Sequence, residues 1–482
     1  MTPSGSDIAR GAWYGLLAQA LDKVLPVLIL LYLARTLSPE QFGAYSFIIA
    51  YLAFFQIVAE YGIDTVLVRA ISQRPEAATA IFRSGLGLKL AGALGGALLA
   101  TMLAAPVSGG RIDTELMALA SLVLVTGLGG AYRSFFRATL EIRAVFAIAA
   151  LRAILLALAV VVAVSLRPGL EPILLAMAAA NLTAFILVAA AARTRVRPMP
   201  AYDSELWRSL AGGVLPLAAN AFALTVSLRM GQILLMSMRG PVEVGLLGAA
   251  SRVAEAFTLL PEALMVSVYP LMAGFHARRP ARLLSTARRS TRYLVVATGV
   301  PVLICAVAGG EVMALLFGES FAEAGPVLSL LGAMAMLSAT GTVILNLLIV
   351  VHRETVLYKN TAAFAAVNVG LCMLLIPPWG YTGAAAAMVA ASAASQLCLA
   401  LLPSTGEYVR ACLGSALRAL AAVAVAVALG VWAPMGVGAS VAAALAAYAV
   451  LLPLLGVLDR DELRFIRSLT TAARGGRGDG GV

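Results

Sequence analysis

Six basic side chains interrupt or border the apolar stretches of this sequence: Lys23, Lys89, Arg152, Arg229, Arg252 and Arg418. A charge at the centre of a bilayer costs about 2.5–3.5 kcal/mol on insertion scales, so such a residue faces water, a partner or a ligand. Cations placed there suit one chemistry, holding an anionic group inside a membrane. Lys23 stands at the midpoint of the first apolar stretch, beside Asp22 and one turn after Gln19. Asn220 lies near the centre of the seventh stretch and Arg229 nearer its outer end. Arg252 lies in the eighth stretch, followed by Glu255, Pro261 and Glu262. The candidate substrate-binding set is therefore Lys23, Arg252, Arg229 and Asn220. Asp22 and Glu255 are candidates for tuning that charge or coupling it to protons. The competing reading is internal compensation, with Asp22 and Glu255 neutralising Lys23 and Arg252. For Arg252 and Glu255, three residues apart, the two readings weigh equally. For Lys23 the binding reading leads. Lys89 and Arg152 lie nearer the helix ends and are expected to snorkel, and Arg418 to anchor a helix end.

No catalytic constellation accompanies these charges. The two histidines, His276 and His352, sit near polar loops and are far apart in sequence, so no metal site is built from them. Cys305, Cys372, Cys398 and Cys412 form no CxxC pair and read as small buried apolar residues, so no metal or cofactor is expected. No G-x-x-x-x-G-K-[ST] occurs, which argues against ATP as the direct energy source. Glu311, Glu319 and Glu323 read as solvated surface. No basic run is interleaved with aromatics, so nucleic acid is not an expected partner. The reading is a binding and transport protein, not an enzyme.

The elements that position these residues must be membrane helices. Of 482 residues, 61% are hydrophobic and 12% charged, against roughly 25% charged in soluble domains. Spans of roughly 20 apolar residues fall at about 12–33, 42–61, 81–105, 115–132, 144–166, 170–192, 209–235, 242–268, 293–310, 324–350, 357–377, 382–402, 412–432 and 437–457. The first reads as a retained transmembrane helix, not a cleaved signal peptide. With both termini placed in the cytoplasm, 25 basic residues fall on the inner side. Only Arg35, Arg111, Arg167 and Arg239 fall on the outer side, an asymmetry that favours fourteen spans with both termini in the cytoplasm.

A repeat organises the spans. Pro39-x-x-x-Gly43 and Pro241-x-x-x-Gly245 both open an even-numbered span and are 202 residues apart. Six spans separate them, so the two modules share orientation, as in parallel transporter repeats. The expected organisation is an N-lobe at 1–192, a linker at 193–208 and a C-lobe at 209–402. Helices thirteen and fourteen follow at 403–457, and a cytoplasmic tail at 458–482.

Several motifs carry a family resemblance. Leu33 to Ser46 reads LARTLSPEQFGAYS and Glu60 to Ile71 reads EYGIDTVLVRAI. VGLLGAASR follows at 244–252, Val-Tyr-Pro at 268–270, Leu-Phe-Gly at 316–318 and IPPWGYTGAA at 376–385. In order and spacing these resemble the polysaccharide transport family. These are Wzx-type flippases of lipid-linked oligosaccharides, within the multidrug/oligosaccharidyl-lipid/polysaccharide exporter superfamily. The resemblance implies an all-α polytopic protein of about fourteen helices, with two six-helix lobes in a V-shaped exporter and two added C-terminal helices. It implies alternating access in the inner (cytoplasmic) membrane of a bacterial cell and an undecaprenyl-pyrophosphate-linked glycan as substrate. Membrane lipids and a glycan polymerase or ligase are the candidate partners. In the family, helices one, two, seven and eight line the cavity, where basic residues meet the pyrophosphate. Lys23 and Arg252 match that role best, and Arg229 and Asn220 less well. The alternatives within the superfamily are multidrug or small-molecule export and lipid II flipping.

Overall fold

The computed structural model describes residues 17, 21, 24–59, 62–196, 199–432 and 436–457. Lys23, Asp22 and the tail from 458 lie outside them. Among the described residues every regular element is helical. That is what lipid demands, because each backbone N–H and C=O must find its partner within the segment. The helices are α1 (Val24–Thr36), α2 (Pro39–Ala59), α3 (Ile63–Gln73), α4 (Ala78–Ser108), α5 (Thr114–Thr126), α6 (Gly130–Ala138), α7 (Ile142–Leu166) and α8 (Leu170–Ala192). They continue with α9 (Ser204–Met238), α10 (Pro241–Ala256), α11 (Leu259–Arg278), α12 (Pro280–Val307), α13 (Gly309–Phe317), α14 (Gly325–Val350), α15 (Glu354–Leu401), α16 (Gly406–Trp432) and α17 (Val437–Leu454). Among the described residues, eleven helical stretches are long and apolar enough to cross a membrane. The protein is a multi-pass membrane protein.

Three breaks depart from uniform spans. The fourth expected span divides into α5 and α6 at a 3-10 turn, Gly127–Gly129. The eighth divides into α10 and α11, where Thr258 Oγ1 donates to the Glu255 carbonyl at 2.7 Å. Pro261 sits in the first turn of α11, where its missing N–H costs nothing. Spans eleven and twelve run together as the 48-residue α15, interrupted at Gly380 with φ 57° and ψ −134°. Unbroken, such a helix would extend about 72 Å, more than twice the roughly 30 Å of bilayer hydrocarbon. A Cβ at Gly380 would also collide with the Glu243 carboxylate.

The chain divides into two compact units. The first comprises Met1–Ala249, Ala314–Phe321 and Thr361–Ala387. Its core joins Leu67 and Ile71 of α3, Phe82 and Leu86 of α4, and Tyr132 and Phe135 of α6. Phe82 lies 5.0 Å from Tyr132 and 5.5 Å from Phe135 between ring centres. The segment before α9 is laid along α4: Ala201 N–H donates to the Arg83 carbonyl at 3.0 Å, and Arg83 Nε to the Met199 carbonyl at 3.1 Å. The two Pro-x-x-x-Gly openings meet here. A Cβ on Gly43 would overlap the Pro241 carbonyl, and one on Gly245 would lie 3.0 Å from the Pro39 carbonyl and 3.2 Å from Gly43 Cα.

The second unit comprises Ala250–Met313, Ala322–Asn360 and Met388–Val482. Its α12 packs against both α14 and α16. Polar side chains tie these helices inside the apolar mass, as they do in membrane bundles. Gln396 Nε2 donates to the Leu337 carbonyl at 2.7 Å, Asn360 Nδ2 to Ser395 Oγ at 2.7 Å, and Tyr448 Oη to the Val296 carbonyl at 3.1 Å.

Candidate anion-binding site

The candidates on α9 do not share a face. Asn220 and Arg229 are nine residues apart on one helix, which separates them by about 14 Å and about 180°. Asn220 lies in register with Ser227 and Gly231, since seven and eleven residues nearly complete two and three turns. That stripe packs on α15: Asn368 Nδ2 donates to the Ser227 carbonyl at 2.9 Å, and a Cβ on Gly231 would touch Ala384 and Cys372. Arg229 lies in register with Phe222, whose ring meets Phe54 of α2 edge-on at 5.9 Å. Arg229 therefore belongs to the α2 side of α9 and Asn220 to the α15 side. Both side chains are half-buried.

In the second unit, Arg252 Nη1 donates to Glu255 Oε2 at 2.9 Å, one turn apart on α10. The compensating contact anticipated from the spacing is formed. Both groups stay partly exposed, at 29% and 42% of the side chain. The carboxylate engages one of the five donors of a guanidinium fork. The pair therefore lowers the local field without removing the fork. The α10–α11 break lies immediately after it.

Lys89 corrects the sequence reading. It does not snorkel: its side chain is 1% exposed and its Nζ lies 2.7 Å from Asp64 Oδ1. Ser134 Oγ donates to the same oxygen at 2.8 Å. Lys89 is thus a structural cation that ties α4 to α3, and through Asp64 to α6. Arg152 Nε donates to Asn181 Oδ1 at 2.9 Å, joining α7 to α8.

Three of the four arginines counted on the outer side are engaged with protein. Arg35 donates to the Leu315 and Leu316 carbonyls at the end of α13. Arg111 Nη1 donates to the Met236 carbonyl at the end of α9, at 2.5 Å. Both meet the negative end of a helix dipole. Arg239 pairs with Glu243 Oε1 at 2.9 Å, and Glu243 Oε2 accepts from the Tyr381 N–H at 2.9 Å.

One further reading changes. Cys398 is exposed, unlike the buried Cys305, Cys372 and Cys412. His276 and His352, remote in sequence, bring their rings to 6.0 Å. Among the described residues no group of three or more His, Cys, Asp or Glu could hold a metal.

The class these features define is a polytopic helical membrane protein. The pattern of the polysaccharide biosynthesis protein family matches residues 8–276. The chain belongs to that family. No curated protein matches the sequence. The fold is similar to that of the lipid II flippase MurJ in an inward closed conformation, with a TM-score of 0.69 at 10% identity, covering 92% of this chain and 98% of that one. It is also similar to an inward-facing multidrug resistance MATE family transporter of the MOP superfamily, with a TM-score of 0.60 at 14% identity, covering 84% and 95%. A third similarity is to a MOP superfamily transporter from Pyrococcus furiosus described as having reversed binding-pocket polarity, with a TM-score of 0.51 at 13% identity, covering 81% and 94%. At these identities the likeness is one of fold.

Proposed function

We propose that this protein flips an undecaprenyl-pyrophosphate-linked oligosaccharide from the cytoplasmic to the outer leaflet by alternating access, for surface polysaccharide export. The observation that carries the reading is membership of a polysaccharide biosynthesis family by a chain with Arg229 and Arg252 inside its membrane helices. Arg252 and Lys23 take the principal role at the pyrophosphate, Arg229 a secondary one, and Asn220 a supporting one. Glu255 moderates the charge of Arg252, and Asp22 that of Lys23. The proposed topology has fourteen spans in two six-helix repeats plus two helices, with both termini in the cytoplasm of a bacterial inner membrane. A glycan polymerase or ligase would act on the delivered substrate. An inside-negative potential favours outward movement of negative charge, by about 2.3 kcal/mol per charge per 100 mV.

A second reading is favoured by one observation, the fold similarity to MurJ over 92% of the chain: the cargo would then be lipid II. Multidrug export is the third, and its cationic drugs would need an acidic pocket in place of a basic one. The test is the leaflet distribution of lipid-linked glycans in cells lacking the protein. Cytoplasmic-side accumulation with loss of one surface glycan supports the main reading. Accumulation of lipid II supports the second. Normal distribution with altered drug sensitivity overturns both.

A further inference from the structure

A second cluster of cations lies outside the proposed substrate set. Arg288, Arg289 and Arg292 of α12 and Arg418 of α16 line one cavity of about 280 Å³ with Ser285 and Ser415, closed by the turn after α17. Among the described residues none of its lining is acidic. The arrangement follows from helix periodicity: 285, 288, 289 and 292 recur at three- and four-residue steps on α12, as do 415 and 418 on α16. The seam between these two helices is filled by Ala287, Val295, Ala416 and Ala419. The arginines therefore flank a packed contact, and like charges gathered there repel. An anion in the cavity would offset that repulsion.

The depth of the cavity says which anion. Beyond Arg292 the rest of α12 carries no charge, and beyond Arg418 neither does the rest of α16. The cavity thus sits where both helices pass from a polar to an apolar course, the level of lipid headgroups. Leu417 and Leu454 are 63% and 72% exposed, which provides apolar surface for acyl chains. Guanidinium forks match phosphate oxygens bidentately. We propose that this cavity seats the phosphodiester headgroup of an anionic phospholipid, a resident lipid separate from the transported cargo.

The test uses full-length protein in detergent, titrated with phosphatidylglycerol, phosphatidylcholine and inorganic phosphate and read by native mass spectrometry. The unaltered protein should bind phosphatidylglycerol at least about tenfold more tightly than phosphatidylcholine. The double variant Arg289→Gln/Arg418→Gln should lose at least about tenfold of that affinity and keep its lipid-free melting temperature. Equal binding of the two lipids by the unaltered protein overturns the proposal, whatever the variant does. So does undiminished phosphatidylglycerol binding by the variant. Displacement of the lipid by inorganic phosphate would assign the cavity to a soluble anion instead. If phosphatidylglycerol binds only after Asp459→Asn, Asp461→Asn and Glu462→Gln, the occupant is the chain's own acidic segment and the proposal fails.

Discussion

Gly43 and Gly245 each stand where the other's side chain would have to go. They are 202 residues apart and each closes a Pro-x-x-x-Gly motif, so one short motif packs on the other. The contact is closer on one side. A Cβ on Gly43 overlaps a carbonyl, whereas one on Gly245 meets its nearest atom at 3.0 Å. Gly43→Ala should therefore destabilise more than Gly245→Ala, within the overpacking range of about 1–3 kcal/mol. Melting midpoints from fluorescence-detected size exclusion check the order. Midpoints equal to the parent for both variants would mean that α2 and α10 do not pack this closely.

The Asp64–Lys89 pair predicts an asymmetric double-mutant cycle. Lys89 is 1% exposed and Asp64 38%. Removing the carboxylate strands a buried cation, a loss of about 3–5 kcal/mol. Removing the cation leaves a carboxylate that still accepts from Ser134 and is 38% exposed. Asp64→Asn should be the more damaging single change, Lys89→Met the milder, and the double variant should regain much of the loss. Thermal denaturation of the four proteins measures the coupling.

The opposite placement of Asn220 and Arg229 separates their phenotypes. Arg229→Ala should reduce glycan transport at least about tenfold, a loss near 1.4 kcal/mol, with protein levels unchanged. Asn220→Ala, on the α15 side, should lower stability more than transport. A complementation assay paired with membrane quantification distinguishes the two. Equal transport defects at equal abundance would sink the facial assignment.

Glu255 offers a test of charge moderation. Glu255→Gln removes the negative partner of Arg252 and keeps the side chain's shape. Affinity for a soluble pyrophosphate-bearing analogue should rise several-fold, and Arg252→Ala should abolish the gain. A fall in affinity would make Glu255 a positioning group for the fork instead of a brake on its field.

The membrane class was legible because the apolar runs are long and the charges few. The two Pro-x-x-x-Gly motifs were legible because glycine and proline leave a local signature. Pairings across helices were not. Lys89 looked like a snorkelling end residue because sequence gives its depth along α4 but not its neighbours, and Asp64 is on another helix. His276 and His352 meet only through the packing of α11 beside α14. The outer-side arginines counted as exceptions to the charge asymmetry, yet Arg35 and Arg111 satisfy helix-end carbonyls, a use that spacing alone does not reveal. The breaks inside α15 and between α10 and α11 were readable only where proline or glycine marked them.

The tip of α15 also carries an instruction about order of assembly. The ribosome delivers Arg239 and Glu243 well over a hundred residues before Gly380 and Tyr381. Those first two residues are four apart on adjoining helix ends and pair locally, so the carboxylate can be oriented as soon as α10 forms. The two halves of α15, with one non-helical residue between them, then arrive as a nearly loopless hairpin. Its backbone N–H finds an acceptor already aimed at it. The late-synthesised tip of α15 is thereby latched to the start of α10 within one compact unit, and Glu243→Gln should slow maturation before it alters transport.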